Sequence, residues 1–166
     1  MSKGKSAKPG LTAKPGLLDV NVLIALIDPA HKFHAAAHAW FQRNGKYGWE
    51  TCPITENGCL RVVSNPGYPF PGLTVSRVRD ILTELVAVEG HLFWPDSVSM
   101  LEPNRFDLAR AFPKNLTDLY LLRLAATFRG RLITFDRAVR WQLVTGCGPG
   151  DLQVLPDGLP NESSAG

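Results

Sequence analysis

The chain has 166 residues, 45% hydrophobic and 20% charged. That length buries a core as one domain, and the balance excludes a disordered or fibrous protein. The formal charge of +3 comes from one end, because Lys3, Lys5, Lys8 and Lys14 stand in residues 1–16 with no acid and the remainder carries −1. A body so mildly charged does not coat nucleic acid indiscriminately.

Taken in chain order, residues 1–16 repeat Ala-Lys-Pro-Gly-Leu at 7–11 and again, running on to Leu17, at 13–17. This Gly/Pro/Lys-rich stretch reads as a flexible basic tail. It lacks the apolar region of a secretory signal. Residues 17–20 (LLDV) read as a buried strand with Asp19 near its C-terminal end, followed by a short helix to Ile27. The run 20–27 contains Asn21 and is too short to span a bilayer, so no membrane anchor is expected. After the break at Asp28-Pro29, residues 31–44 read as an amphipathic helix with Phe33, Ala37, Trp40 and Phe41 on its apolar side, ended by Gly45. Residues 47–52 form a short strand, and Pro53 at the first helical position opens a helix to Val63 with Glu56 in its first turn.

The loop 65–72 (NPGYPFPG) follows, with Tyr68 and Phe70 expected to pack on the core. Thr74 caps a helix running to about Val88 and ended by Gly90. Residues 91–94 read as a strand and 97–111 as a weaker helix interrupted by Pro103. Asn115 or Thr117 caps the clearest helix, 118–128, which Gly130 stops. A strand at 131–135, a short helix at 136–143 and a strand at 152–155 complete one domain over residues 17–156, with 157–166 expected to be a disordered tail. Strands alternating with helices predict an α/β fold with a mostly parallel sheet and helices on both faces. In such sheets ligands bind beyond the C-terminal strand ends, where the strand order reverses. The odd count of three cysteines (Cys52, Cys59, Cys147) favours reduced thiols and a cytoplasmic location.

Four acids stand at the edges of these elements: Asp19, Glu56, Asp118 and Asp136. Buried carboxylates are costly unless paired, protonated or bound to a metal, so four at one sheet edge suggest a pocket for a divalent cation acting on a phosphodiester. Each has an ordinary alternative. Glu56 and Asp118 suit helix N-termini, and Asp136 suits an N-cap after a strand. Asp19, inside an apolar run, is hardest to explain that way. His31, His34 and His38 have the spacing of a zinc pair, but no further ligand completes it, and a part-solvated face is the simpler reading. Among Arg123, Arg129, Arg131, Arg137 and Arg140, Arg137 and Arg123 are the candidates for gripping RNA phosphates.

The segments DVNVLIAL, TEN, TDLYLLRLA and TFDRAV, in that order, resemble the PIN-domain ribonucleases, and within them the VapC toxins of bacterial toxin–antitoxin pairs. The resemblance covers residues 17–155 and implies a PIN-like three-layer α/β/α fold. It implies that Asp19, Glu56, Asp118 and Asp136 bind one or two Mg2+ or Mn2+ ions, with Glu56 at a second ion or orienting water. Asn21, Thr117 and Thr134 assist by hydrogen bonding. It further implies an endoribonuclease cutting structured RNA such as tRNA or rRNA, a homodimer, and a cognate antitoxin protein that covers the acidic pocket. Two other readings remain. The Asp19-Val20-Asn21 stretch is similar to the Asp-x-Asp loop of haloacid-dehalogenase-like phosphatases, although Asn21 cannot exchange the proton required there. The same fold also serves as a non-catalytic RNA- or protein-binding module.

Overall fold

The computed structural model describes residues 14–69 and 72–158, so the readings for residues 1–13, Phe70 and residues 159–166 lie outside the described residues. Five short strands, β1 (Gly16–Leu18), β2 (Trp49–Thr51), β3 (His91–Phe93), β4 (Arg131–Thr134) and β5 (Leu152–Val154), form one sheet in the order β3-β2-β1-β4-β5. Every pairing is parallel. The order reverses at β1, which lies between β2 and β4, so the cleft beyond the C-terminal ends of β1 and β4 is the switch point where such sheets bind ligands.

Two apolar layers cover the sheet. On one face, α1 (Val20–Ile27), α2 (His34–Asn44), α3 (Pro53–Val63) and α4 (Val75–Val86) pack over Leu18, Trp49 and Ile133. On the other, α5 (Leu116–Thr127) packs over Leu17 and Leu132, together with Cys52, Trp94 and Leu143. This is a three-layer α/β/α fold. Alternation along each strand makes it possible, since neighbouring residues such as Leu17 and Leu18 serve opposite layers.

Local chemistry sets most element ends. Asp19 caps α1 by accepting from Val20 N (2.7 Å). Pro53 opens α3, and Thr74 caps α4 by accepting from Arg77 N (3.2 Å). The helix expected from residue 31 begins at His34, because Asp28 and His31 accept the intervening backbone amides in turns. Asn115, not Thr117, holds the cap position of α5, and its side chain makes no capping bond. Gly130 ends α5 by close approach: a Cβ there would lie 2.5 Å from Trp94 and 2.7 Å from the Pro15 carbonyl oxygen, while the left-handed residue is Arg129 (φ 58°).

Two expected helices are absent. Residues 97–111 form turns with one 3-10 segment at Leu108–Arg110, because Pro103 removes a donor and Asn104 adopts φ 61°. Residues 136–143 form a turn followed by a 3-10 segment at Trp141–Leu143, because the Asp136 carboxylate accepts from Ala138 N (2.7 Å) and closes a local loop. No described helix is long and apolar enough to cross a membrane. Gly16 already belongs to β1, and Lys14 is held to Asp151 at 2.7 Å.

Candidate active site

Thr134, the last residue of β4, organises the switch point. Its buried hydroxyl donates to Asp19 Oδ2 (2.7 Å) and accepts from Asn21 Nδ2 and Asp136 N (both 3.0 Å), which uses its full hydrogen-bonding capacity. Asn21 is saturated as well. Its two amide hydrogens serve Asp19 Oδ2 (3.0 Å) and Thr134, and its Oδ1 accepts from Phe135 N (3.1 Å). With the bond from Asp19 N to Ile133 O (2.9 Å), these contacts lock β1, α1 and β4 together and fix Asp19 in one orientation. Asn21 therefore acts as a structural tie between Asp19 and β4.

Three of the four acids come together here. Burial raises the pKa of Asp19 above the ordinary carboxylate value; hydrogen bonds from Thr134, Val20 and Asn21 oppose that, and the Asp136 charge adds to it. Asp118, in the first turn of α5, is pushed up to about 6 by burial and then by the charges of Asp19 and Asp136. Asp118 has no hydrogen-bond partner among the described residues. Among the described residues, Asp136 has only the bond to Ala138 N on its carboxylate, and none of Asp19, Asp118 and Asp136 forms an ion pair. The site is thus a group of repelling carboxylates with free lone pairs and, among the described residues, no cation paired to them.

Glu56 faces different partners. Its Oε1 accepts from Thr51 Oγ1 (2.5 Å), and Thr51 Oγ1 lies 2.8 Å from His91 Nε2. It also lines a cleft between α3 and α4 with Leu60, Arg79, Leu82 and Thr83. Thr51 and His91 were not singled out from the sequence. The contact depends on the pairing of β2 with β3, which joins residues 40 apart and has no local signature.

The remaining candidates make no hydrogen bond or ion pair to the four acids among the described residues. Thr117 is exposed and makes no side-chain hydrogen bond among the described residues. Arg137 is exposed and paired with Asp157 (3.0 Å). Arg123 is half buried near Cys147, and its Nε has no hydrogen-bond partner among the described residues. The histidines of the 31–38 stretch are engaged in structure: His34 Nδ1 and His38 Nε2 bond the Ala25 and Leu26 carbonyl oxygens at the end of α1 (2.8 and 3.0 Å). Tyr68 packs its ring against the α1–α4 layer and donates its hydroxyl to Asp28.

Among the described residues, no three His, Cys, Asp or Glu side chains are close enough as placed to ligate one ion. The donor chemistry nevertheless fits Mg2+ or Mn2+. The donors are hard oxygens carrying negative charge, with no cation paired to them among the described residues, and Mg2+ commonly keeps several waters while binding only one or two carboxylates.

No protein-family model matches the chain. Individual relatives do. Ribonuclease VapC44 of Mycobacterium tuberculosis is 41% identical over 140 residues, covering 84% of this chain and 98% of the relative. Ribonuclease VapC39 of the same organism is 43% identical over 124 residues, covering 74% and 89%. Ribonuclease VapC29, also from that organism, is 32% identical over 120 residues, covering 72% and 84%.

Proposed function

This chain belongs to the VapC family of ribonucleases, and we propose that it is the endoribonuclease toxin of a toxin–antitoxin pair, hydrolysing structured RNA such as tRNA or rRNA at Asp19, Asp118, Asp136 and Glu56. The observation that carries this reading is the carboxylate group at the β1–β4 switch point, whose charges repel one another with no cation among the described residues paired to them. A divalent cation bound there supplies neutralising charge, stabilises the charge developing on the phosphodiester and makes water a usable nucleophile near neutral pH.

The residues divide the work. Asp19 is the fixed member, held by Val20 N, Asn21 and Thr134. Asp118 is the open member, with no protein hydrogen bond among the described residues; with a pKa of about 6 it is mostly ionised near neutrality and would hold a cation as the carboxylate. Asp136 keeps one oxygen unengaged. Glu56 keeps Oε2 unengaged among the described residues and orients the attacking water or takes its proton. In-line attack by water leaves a 5′-phosphate on one fragment. Arg137, exposed at the residue after Asp136, exchanges Asp157 for an RNA phosphate. Arg123, half buried near Cys147, is the second candidate for an RNA phosphate. A homodimer, a cognate antitoxin over the acidic pocket and a cytoplasmic location complete the proposal.

The test is cleavage of total cellular RNA by the antitoxin-free protein with Mn2+ or Mg2+, against EDTA and against Asp118→Ala. Discrete fragments that require both the metal and Asp118 are expected. Asp118→Ala cutting at the wild-type rate, or wild-type cleavage unaffected by EDTA, would sink the assignment.

A further inference from the structure

Glu56 is held by partners different from those of Asp19 and Asp136. Thr51 closes β2, Glu56 lies in the first turn of α3, and His91 opens β3. The three meet in a chain: Glu56 Oε1, 2.5 Å, Thr51 Oγ1, 2.8 Å, His91 Nε2. We propose that Thr51 and His91 are positioning residues for Glu56, a buried hydroxyl relay that holds one carboxylate oxygen and leaves the other for the water and cation of the acidic site. The inference rests on the ribonuclease reading and extends it to two residues outside the acidic group.

Hydrogen counting gives the chain its direction. A threonine hydroxyl has one proton, and at 2.5 Å from a carboxylate oxygen that proton belongs in the bond to Glu56. Thr51 Oγ1 can then only accept from His91, so His91 carries its proton on Nε2. Thr51 is fully buried, and water cannot replace either partner without repacking. The His91 ring is set in turn by Trp49, its register partner across β2 and β3, with ring centroids 4.6 Å apart. Each member is fixed by the sheet, and the flexible glutamate is fixed by them. Groups that orient a metal-binding carboxylate in this way influence the ion without touching it.

The experiment measures Mn2+ binding directly, by calorimetry or by the loss of the free-ion paramagnetic resonance signal, alongside RNA cleavage. Thr51→Val keeps the shape of the side chain and removes the hydroxyl. It is expected to weaken Mn2+ binding by about 10- to 100-fold, with Thr51→Ser restoring it. His91→Phe is expected to weaken binding in the same direction and His91→Gln, which keeps an N–H donor, to restore it; this pair carries the test if Thr51→Val fails to fold. In a Glu56→Ala background neither Thr51→Val nor His91→Phe should weaken binding further, a dependence that a purely structural role does not produce. Wild-type affinity in both Thr51→Val and His91→Phe, or an equal loss with and without Glu56, overturns the proposal and leaves the ribonuclease reading standing. A wild-type protein that neither binds Mn2+ nor cuts RNA overturns both.

Discussion

Burial raises the pKa of both Asp19 and Asp118, but exchanging carboxylate for amide is expected to act oppositely on the fold, because the Asp19 oxygens accept hydrogen bonds and Asp118 has no partner among the described residues. Asp118 has no hydrogen-bond partner among the described residues, and its pKa is raised from 3.8 to about 6 by burial and by its acidic neighbours. A carboxyl with a higher pKa folded than unfolded destabilises the fold when ionised. The effect is absent below about pH 4, develops as pH rises through about 6 and is complete above that. In EDTA at pH 7.5, Asp118→Asn is therefore expected to melt at a higher temperature than wild type while losing cleavage, with the difference in melting temperature vanishing below about pH 4. Asp19→Asn should do the reverse. Its two oxygens accept from Val20 N, Asn21 and Thr134, and an amide nitrogen in either position sets donor against donor. A loss of about 1–3 kcal/mol is expected, since a buried group is left unpaired. Thermal denaturation of both variants without metal separates the two environments, and equal shifts would contradict them.

At the scale of the element, β2 contains an acid that belongs to no site. Glu50 is wholly buried among its strand neighbours, and neither carboxylate oxygen has a hydrogen-bond partner among the described residues. Burial raises its pKa from 4.5 to about 8, so the folded protein holds it as the neutral acid at physiological pH. Folding then takes up a proton between about pH 4.5 and 8, and stability falls across that window by up to about 1.4 kcal/mol per pH unit. Glu50→Leu, similar in volume and without polar atoms, is expected to stabilise the protein most at pH 8 and to flatten the pH dependence over that interval. The check is chemical denaturation at pH 5, 6.5 and 8. An unchanged slope with pH would mean that Glu50 is ionised and solvated in the fold. Nothing in YGWETC marks Glu50 as buried, because local pattern does not tell an interior strand from an edge strand. It is buried because β2 is an interior strand, paired on both sides by β1 and β3.

At the scale of the whole molecule, the legible parts were those fixed by nearby residues. Pro53 and Thr74 mark helix starts, and Asp19 and Asp136 stand beyond the apolar runs that become β1 and β4, so the parallel sheet and its acidic edge followed from local pattern. The 97–111 and 136–143 segments were misread as helices because their conformation depends on a bridge between Phe106 and Val144 and on single-residue turns, which leave no periodic trace. The Glu56–Thr51–His91 chain was invisible for the same reason, being made by strand pairing. The basic arm is a global question too. Its first described residue, Lys14, is already bound to Asp151, and it enters the sheet at the N-terminal end of β1, whereas the acids lie beyond the opposite end. The point where the arm joins the sheet therefore lies at the end away from the acids. Deleting residues 1–13 removes Lys3, Lys5 and Lys8, yet cleavage should stay within about twofold of full length, with the same salt dependence. If instead all three lysines grip RNA phosphates, the slope of log affinity against log salt should become shallower by about 2 on truncation. That result would make the arm part of the RNA interface and place the bound RNA across both edges of the sheet.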